Sequence, residues 1–277
     1  MRIAILGASG HVATNLIWGL TGHHTVIPFS RKNKGYDDFY EGTYDVIINC
    51  VGFGNPTDVE NAGYGLFRVT EQYDEMCLRY LRIVPETKYI YISSGAVYGN
   101  LDVNNMTPQS CYQLSKLYTE AKHRSLQDYN NIIDIRLFSF FSRFANLDDT
   151  FFMTQLVKAV RDGSTFVTDN QPMMRDYIHP KDLTMLVEKI ITRQTPMNRT
   201  FDAYSLRRIE KQAILNYFKS EYNLKVEIVK HYKGFSTANR SDFYSIDYDG
   251  EDIHYVPRYE SIDTIKEESG AILHGET

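Results

Sequence analysis

The sequence predicts an α/β protein built on a doubly wound parallel sheet, with a smaller C-terminal lobe. Short apolar runs such as residues 3–6 are typical of parallel strands that are buried on both faces. They alternate with segments of helical periodicity in the first half of the chain, which indicates crossover units and helices on both faces of the sheet. The alternation fades after residue 142, and no long Pro/Gly/Ser linker follows. We therefore predict a sheet domain at 1–142 and a second lobe at 143–277, with the chain returning to the first domain around 172–205.

The individual elements can be assigned from these patterns. The predicted strands of the first domain are residues 3–6, 25–29, 45–51, 88–93 and 132–138, with helices at 12–20, 64–84 and 112–129. In the second half we expect helices at 150–160 and 181–192, with a loop at 171–180 between them. Trp18 lies on the first helix, where we expect it to pack between the helix and the sheet.

The composition excludes several classes of partner. The chain has 277 residues, and 30 Lys+Arg against 35 Asp+Glu give a formal charge of −5. This charge and the lack of a long basic run argue against nucleic acid or an anionic membrane surface as a partner. Residues 3–30 carry no Lys, Arg, Asp or Glu, but many Gly, Ser, Thr, Asn and His residues interrupt them, so they do not form a spanning helix.

The cysteines indicate a compartment. Cys50, Cys77 and Cys111 fit neither a disulfide framework nor the paired spacings of metal ligands. We expect a reducing cytoplasm and no metal site.

A glycine motif, Gly7-x-x-Gly10-x-x-Ala13, lies where the first strand ends and the first helix begins. The first glycine permits a tight turn, the second lets the backbone approach a pyrophosphate, and the small third residue lets helix and sheet pack together. The motif predicts that residues 1–142 form a dinucleotide-binding, Rossmann-like domain. The alternative is an ordinary strand–helix turn that contains glycines. The residues predicted to contact the phosphates are Gly7, Ser9, Gly10, His11 and Val12.

The end of the second strand indicates which dinucleotide binds. NAD requires an acidic residue about 20 positions after the motif, to hydrogen-bond the ribose 2′-hydroxyl. Here the sequence reads Ser30-Arg31-Lys32, and no acidic residue occurs before Asp37. A hydroxyl followed by two cations would attract a 2′-phosphate, so we predict NADP(H) as the cofactor, with NAD as the alternative. Arg31 and Lys32 have a second interpretation as solvated surface charges.

Candidate catalytic residues lie on the third helix and on the strand before it. Tyr112 and Lys116 are four positions apart, hence on one face of a helix. A phenol has an ordinary pKa of ~10, and a nearby ammonium favours the phenolate. Such a pair often occurs by coincidence, but Ser94 follows the fourth predicted strand, at the edge where ligands bind in open α/β sheets. A serine hydroxyl there could hydrogen-bond the oxygen of a reacting carbonyl.

Five segments together resemble a known family. They are residues 7–13 (GASGHVA), 93–99 (SSGAVYG), 112–116 (YQLSK), 136–139 (RLFS) and 175–183 (RDYIHPKDL). In this order they resemble an extended short-chain dehydrogenase/reductase, in the NAD-dependent epimerase/dehydratase group that acts on nucleotide sugars. The resemblance covers residues 1 to about 190 and is thin beyond residue 200.

The resemblance implies roles for particular residues. Tyr112 would be the acid/base, Lys116 would tune it and hold the nicotinamide ribose, and Ser94 matches the family's Ser/Thr position. Arg175 and Arg240 would contact the nucleotide sugar, although Arg175 has an alternative interpretation as a salt-bridge partner of Asp176 or Asp182. The remaining expected cofactor contacts are Cys50, Val51, Gly52 and Phe138, and the remaining substrate contacts are Gly95, Ala96 and Ser139.

Departures from the family pattern favour one reaction. Gly95 and Ala96 stand where dehydratases of the family carry an acidic pair, Ser139 stands where epimerases often have Asn, and Ser30-Arg31-Lys32 replaces the acid that binds NAD. We therefore expect NADPH-dependent reduction of a keto group, at C4 of a nucleotide-linked (deoxy)hexose, with Tyr112 as the proton donor. The alternatives are a nucleotide-sugar 4-epimerase with tightly bound NAD and a non-catalytic NADP-sensing regulator. A homodimer is expected from the family, and Leu114, Leu117 and Tyr118 permit it.

Overall fold

The structure, a computed structural model, describes residues 1–32, 35–126, 131–230, 242–246, 250 and 253–275. The helices of these residues are α1 (His11–Leu20), α2 (Pro56–Ala62), α3 (Gly65–Ile83), α4 (Pro108–Ser125), α5 (Phe152–Arg161), α6 (Pro180–Thr192), α7 (Lys211–Tyr222) and α8 (Ser261–His274). The strands are β1 (Arg2–Leu6), β2 (Thr25–Phe29), β3 (Val46–Asn49), β4 (Lys88–Ser94), β5 (Asn131–Leu137), β6 (Ser139–Phe140), β7 (Phe166–Asp169), β8 (Met174–Arg175), β9 (Tyr177–Ile178), β10 (Met197–Ala203), β11 (Ile209–Glu210), β12 (Val226–Val229) and β13 (Asp242–Phe243). None of the described helices is both long and apolar enough to cross a membrane.

A parallel sheet of six strands organises the fold, in the order β10-β5-β4-β3-β1-β2. Neighbouring strands pair in parallel throughout. The chain moves from β1 to β2 on one side and then to β3 on the other, so the strand order reverses between β1 and β3. This reversal is the switch point at which open α/β sheets bind ligands, beyond the carboxyl ends of the strands. The predicted Rossmann-like fold class is confirmed.

The predicted elements of the first half agree with the observed ones to within a few residues. The largest difference is α4, which begins at Pro108 rather than at residue 112. Thr107 caps this helix, because its side chain accepts the backbone N–H of Ser110, and proline is favoured at the first helical position. Tyr112 therefore lies inside the helix rather than at its start.

The connection between β2 and β3 contains a 3-10 turn, Asp37–Glu41, where a longer helix would be usual. Phe39 of this turn is fully buried, and its ring centroid lies 5.5 Å from that of Tyr44 and 5.4 Å from that of Tyr80. The Tyr80 hydroxyl donates to the carbonyl of Gly42 and accepts the N–H of Tyr44. Aromatic packing against α3 thus covers this part of the sheet.

The second half of the chain forms its own apolar cluster and also returns to the sheet. Buried side chains of α5, α7 and α8, among them Leu156, Phe218 and Ile265, pack together. Between α5 and α7 the chain passes through β9, which pairs with β6, and through α6 to β10, an edge strand of the main sheet. The division into two domains at residue 142 stays a prediction.

Helix α6 packs closely on α1. The side chain of Asn15 donates to the carbonyl of Pro180, and a Cβ atom at Gly19 would overlap the side chain of Thr184. At the other end of α6, Lys88 of β4 donates from its Nζ to the carbonyl oxygens of Ile190, Ile191 and Arg193, at 2.6, 3.0 and 3.0 Å. A buried ammonium therefore caps the C-terminus of this helix.

The prediction for Trp18 was wrong, because its side chain is 60% exposed. The buried face of α1 is set by Leu16 and Leu20, and Trp18 lies two positions from each. At about 100° per residue, two positions correspond to roughly the opposite side of a helix.

Candidate active site

The glycine turn brings the end of β1 against the end of β3. Gly7 has a φ of +76°, in the left-handed region that side chains rarely adopt. A Cβ atom there would lie 3.1 Å from the carbonyl of Cys50 and from the backbone nitrogen of Val51. Glycine at this position therefore allows the turn to pass directly over the segment that follows β3. The turn closes with a hydrogen bond of 2.8 Å from the N–H of Gly10 to the carbonyl of Gly7.

The start of α1 is suited to an anion. Gly10 is the N-cap and has no side chain to accept the first N–H groups, and the first turn contains no acidic residue. These N–H groups and the positive end of the helix dipole lie at the switch point of the sheet. The residues present therefore fit a dinucleotide pyrophosphate.

The ring of His11 is engaged away from this turn. Its Nε2 lies 2.8 Å from Oγ of Ser142, and its ring packs on Phe140 with a centroid distance of 4.9 Å. Burial lowers the pKa of His11 to about 4, so the ring is neutral at physiological pH. The predicted contact between His11 and a phosphate would therefore have to use its backbone N–H.

The predicted adenosine end lies beyond β2. Ser30 is buried, whereas Arg31 and Lys32 are exposed. Tyr36 also lies at this corner, where its hydroxyl accepts the N–H of Gly7 at 3.2 Å. Tyr36 belongs to no sequence motif and contacts the glycine turn from 29 positions away, so no local pattern indicates its place in the site.

Lys116 is buried beside Tyr112 on α4. Its Nζ donates to the hydroxyl of Tyr91 and to the carbonyl of Ile92, both at 2.9 Å, and lies 5.9 Å from the centroid of the Tyr112 ring. Burial lowers the pKa of Lys116 to about 8, against the opposing effect of the Glu120 carboxylate. The two bonds to β4 hold the amine in one place below Tyr112.

The residues after β3 adjoin this amine. A Cβ atom on Gly52 would lie 3.5 Å from Nζ of Lys116, and the N–H of Val51 donates to Oδ1 of Asn49 at 3.0 Å. Burial raises the pKa of Cys50 to about 12, so its side chain is a neutral thiol. The predicted cofactor contacts at positions 50–52 are therefore brought between the glycine turn and Lys116.

Ser94 ends β4 and caps the short 3-10 turn Gly95–Tyr98. Its Oγ accepts the N–H of Ala96 at 3.1 Å, and this bond does not use the hydrogen of the hydroxyl. The side-chain amide of Gln113 donates to the carbonyl of Gly99, which ties α4 to the same turn. Tyr112, Lys116 and Ser94 are thus carried by two elements that are fastened to each other at the carboxyl end of β4.

Phe138 occupies the space above Gly95. A Cβ atom on Gly95 would overlap the ring of Phe138. That ring also stacks on Tyr98, at a centroid distance of 6.0 Å, and is itself buried. A larger residue at position 95 is therefore incompatible with Phe138 in its observed position.

The predicted substrate contacts are only partly described. The N–H of Ser139 donates to the carbonyl of Asp176, and the buried Arg175 donates to the carbonyl of Met174 at 3.0 Å. The Asp176 carboxylate accepts the N–H of Ser205, while that of Asp182 accepts the N–H groups of residues 258 and 259. Both carboxylates therefore accept backbone N–H groups, and the salt-bridge interpretation of Arg175 stays a prediction. Arg240 lies outside the described residues.

One group of side chains in the described part of the chain has the spacing of metal ligands: His179, Glu267 and Glu268. Their charge is already balanced, because Lys181 lies 2.6 Å from Glu267 and Arg143 lies 3.0 Å from Glu268. The cluster is therefore an ion-pair network that joins the start of α6 to α8.

Solved structures share this fold over the whole chain. The UDP-glucuronic acid 4-epimerase of Bacillus cereus, in complex with UDP-glucuronic acid and NAD, has a TM-score of 0.79 at 13% identity, covering 100% of both chains. The UDP-N-acetylglucosamine 4-epimerase of Methanobrevibacter ruminantium, in complex with UDP-N-acetylmuramic acid, has a TM-score of 0.82 at 14% identity, covering 100% of this chain and 99% of that one. The dTDP-glucose 4,6-dehydratase of Bacillus anthracis, in complex with NAD, has a TM-score of 0.75 at 13% identity, with coverage of 100% and 97%.

Sequence comparison gives the family. No curated protein matches the chain. The family model described as "NAD dependent epimerase/dehydratase family" matches residues 3–203, which is well over half of the chain and includes the glycine turn, Ser94, Tyr112 and Lys116. The chain therefore belongs to the NAD-dependent epimerase/dehydratase family.

Proposed function

We propose that this chain is an enzyme that moves hydride between a nicotinamide dinucleotide and a sugar carbon of a nucleotide sugar, with Tyr112 as the acid/base. The observation that carries the proposal is the position of Lys116. Its buried amine is fixed by Tyr91 and Ile92 beside the ring of Tyr112, at the edge of the sheet where the strand order reverses. A surface Tyr-x-x-x-Lys pair would not require burial of the amine.

The residues around this position fit a dinucleotide. The start of α1 would bind the pyrophosphate through its N–H groups, and Lys116 would bind the ribose next to the nicotinamide. Residues 50–52 would line the cofactor site between the pyrophosphate and the ribose next to the nicotinamide. When bound, the cofactor supplies or accepts the hydride.

The protein's own groups would handle the proton. Tyr112 gives a proton to the sugar oxygen during reduction and removes it during oxidation, and the ammonium of Lys116 favours the phenolate that results. The hydroxyl of Ser94, whose hydrogen is not used by its bond to Ala96, donates to the same oxygen and stabilises its developing charge.

The finer proposal is NADPH-dependent reduction of a C4 keto group. It rests on Ser30, Arg31 and Lys32 at the predicted adenosine end, and on Gly95 and Ala96, which offer no proton for elimination of water. The overlap between a side chain at position 95 and the ring of Phe138 supports this second point, because it disfavours the acidic residue of a dehydratase.

A 4-epimerase is the second candidate, and the comparisons support it more broadly. The family is named for epimerases and dehydratases, and the two 4-epimerases of similar fold bind UDP-linked sugars, one of them together with NAD. In an epimerase, Tyr112 would remove the proton of the C4 hydroxyl while C4 is oxidised to a ketone, and would return a proton to the C4 oxygen when the opposite face of that ketone is reduced.

The cofactor distinguishes the two candidates. The protein is purified and denatured, released dinucleotide is identified by mass spectrometry, and cofactor-free protein is titrated with NADPH and NADH. Preference for exchangeable NADPH supports the reductase, and stoichiometric NAD that does not exchange supports the epimerase. Failure to bind either dinucleotide would contradict the whole proposal.

Turnover is then assayed with UDP- and dTDP-linked hexoses and their 4-keto forms. The Tyr112→Phe variant should lose turnover by about 10²–10⁴-fold while its dinucleotide affinity stays unchanged. A wild-type protein that binds NADPH but converts none of these sugars would instead favour the non-catalytic regulator.

The homodimer and the cytoplasmic location are also proposals. Leu117 and Tyr118 of α4 are 38% and 53% exposed, and Tyr118 borders a groove between α3 and α4. Light scattering of the purified protein, compared with a Tyr118→Glu variant, would test whether this face joins two copies.

A further inference from the structure

A buried histidine lies on α4, the helix that also carries Lys116. His123 is fully buried between two carboxylates that are also fully buried: its Nδ1 lies 2.6 Å from Asp134, and its Nε2 lies 2.8 Å from Asp74. Burial acts against a charge on this ring, but Asp134 and Asp74 raise the pKa of His123 to about 9. The ring is therefore an imidazolium at neutral pH, and it bridges α3, α4 and β5.

Two tyrosines of β4 connect this bridge to the site. The ring of Tyr91 meets the imidazole edge-on at a centroid distance of 5.6 Å, and its hydroxyl accepts a hydrogen bond from Lys116. Tyr89 lies two residues earlier on the same strand; its hydroxyl donates to Asp74 at 2.7 Å and accepts from Asn49 at 3.0 Å. Tyr91 therefore connects the bridge to Lys116, and Tyr89 connects it to Asn49 at the end of β3.

Charged groups surround the bridge on every element that packs against it. Lys122 lies 2.6 Å from Asp74, and Arg124 lies 3.1 Å from Asp134. The titratable and charged groups around the bridge are Glu71, Asp74 and Cys77 of α3, Tyr89 and Tyr91 of β4, Lys122 and Arg124 of α4, and Asp134 of β5. Buried charges of this number are costly to desolvate, and hydrophobic residues of similar volume often pack as well or better. A function is therefore a reasonable explanation for the arrangement.

We propose that His123 is a positioning residue for Lys116: by bridging Asp74 and Asp134 it fixes the ring of Tyr91, and the hydroxyl of Tyr91 holds the amine of Lys116 beside Tyr112. The other acceptor of Lys116 is the backbone carbonyl of Ile92, which a side-chain change in the bridge would not remove. Asp134 and Asp74 also raise the pKa of Lys116 through space, so the test must separate this direct effect from the contact through Tyr91. The role assigned to Lys116 rests on the proposed function, but the contact path does not.

The test measures the titration of Lys116 in protein without cofactor or substrate. Lysine is labelled with ¹³C at the ε carbon, the Lys116 signal is identified by its absence in a Lys116→Met variant, and its midpoint is followed over pH. The key variant is His123→Asn combined with Asp134→Asn. It removes one positive and one negative charge and breaks the bridge, and it also removes the direct electrostatic effect by which Asp134 raises the pKa of Lys116.

We expect this double variant to lower the Lys116 midpoint by about half a pH unit or more, because the ammonium loses a well-placed acceptor. Tyr91→Phe should lower the Lys116 midpoint similarly, and the bridge variant should cause a clearly smaller fall in the Tyr91→Phe background than in wild type, because only the through-space effect of Asp134 remains there. Tyr255→Phe is the control, since it removes a buried hydroxyl whose hydrogen bond, to the carbonyl of Tyr204, belongs neither to the bridge nor to Lys116, and it should leave the midpoint unchanged.

Two results would overturn the proposal. One is a folded bridge variant in which the Lys116 midpoint is unchanged. The other is a bridge variant that lowers the Lys116 midpoint equally in the wild-type and the Tyr91→Phe backgrounds. If the bridge variant does not fold, the titration midpoint of the His123 ring is followed by its ¹⁵N signals in wild type and in Lys116→Met. Coupling between two proton-binding sites is reciprocal, so the two midpoints must differ, and equal midpoints reject the path through Tyr91. Because no cofactor is present, failure here and failure of the proposed reaction are separate results.

Discussion

Two buried lysines, Lys88 and Lys116, lie near opposite ends of β4 and differ in what surrounds the amine. Burial lowers the pKa of each to about 8, assisted in Lys88 by the nearby Arg193. An ammonium has three hydrogens to donate. Lys88 places all of them on carbonyl oxygens at the end of α6, whereas Lys116 has two acceptors among the described residues.

The difference lies in how completely each amine is hydrogen-bonded. All three ammonium hydrogens of Lys88 are used to cap α6. The third hydrogen of Lys116 is available for a ligand on the side of the amine where Gly52 has no side chain. Burial and a lowered pKa are therefore insufficient to identify a functional lysine, and the number of acceptors around the amine is the better criterion.

The largest expected effect is on activity. If the proposed function holds, Lys116→Met should lower kcat/KM by about 10²–10⁴-fold, because Tyr112 would lose the cation that favours its phenolate and the cofactor ribose would lose a donor. Lys88→Met should change kcat/KM by less than about threefold in protein that is shown to be folded. Steady-state kinetics measures both, with whichever UDP- or dTDP-linked sugar the turnover assay identifies as a substrate. Equal losses in the two variants would remove the distinction between the lysines.

For stability we expect the opposite: the larger effect comes from Lys88→Met and the smaller one from Lys116→Met. Lys88→Met leaves three carbonyl groups without their charged donor, so we expect it to lower the free energy of unfolding by about 3 kcal/mol. Lys116→Met removes a partly bonded buried charge and should stay within about 1 kcal/mol of wild type, or exceed it. Urea denaturation measures this, with Lys219→Met on the exposed face of α7 as the neutral control. A Lys88→Met protein as stable as that control would show that the cap is dispensable.

A smaller effect concerns pH. The unfolded chain holds the proton of Lys116 up to its ordinary pKa of about 10.4, whereas the folded chain releases it near 8. Between these values the unfolded state binds more protons, so stability contributed by this group rises with pH by at most about 1.4 kcal/mol per pH unit. The difference in unfolding free energy between wild type and Lys116→Met should therefore grow in favour of wild type from pH 8 to pH 10. A constant difference would mean that the amine is not desolvated.

The smallest expected effect comes from Gly52. A methyl group there would lie 3.5 Å from Nζ of Lys116, which is ordinary contact distance, so Gly52→Ala should leave stability unchanged within about 0.5 kcal/mol. It would cover the open side of the amine and should weaken dinucleotide binding by about three- to tenfold. Gly54→Ala, which meets no atom within 4 Å, is the matched control. Equal affinities in the two variants would place the cofactor elsewhere.

The sequence predicted those parts of the fold and site whose signals are local. The glycine turn and the Tyr112–Lys116 pair each occupy a few consecutive positions, and their spacing alone indicates how they lie on a turn or on one helix face. Lys88, by contrast, has its acceptors 102 to 105 positions away, and His123 lies 49 positions from Asp74. Local patterns carry no information on such pairings.

The edge strand β10 was missed for a related reason. Asn198, Arg199 and Thr200 give it a polar sequence without the apolar run of the central strands, although its last three residues are buried. A strand at the edge of a sheet has one paired neighbour and can expose part of its length, so its sequence resembles that of a loop. Its pairing with β5 depends on the return of the chain through α6.

The late arrival of α6 has a consequence for biosynthesis. Leu183, Leu186 and Ile190 of this helix cover the same apolar layer as Ile48, Ile90 and Ile133 of the sheet. On the ribosome, all strands from β1 to β5 emerge before α6 has been made. The nascent chain therefore has this sheet face covered by α1 but not yet by α6 while about 50 further residues are translated, which takes seconds at ordinary rates of synthesis. We expect this interval to be the period in which the chain most needs a chaperone.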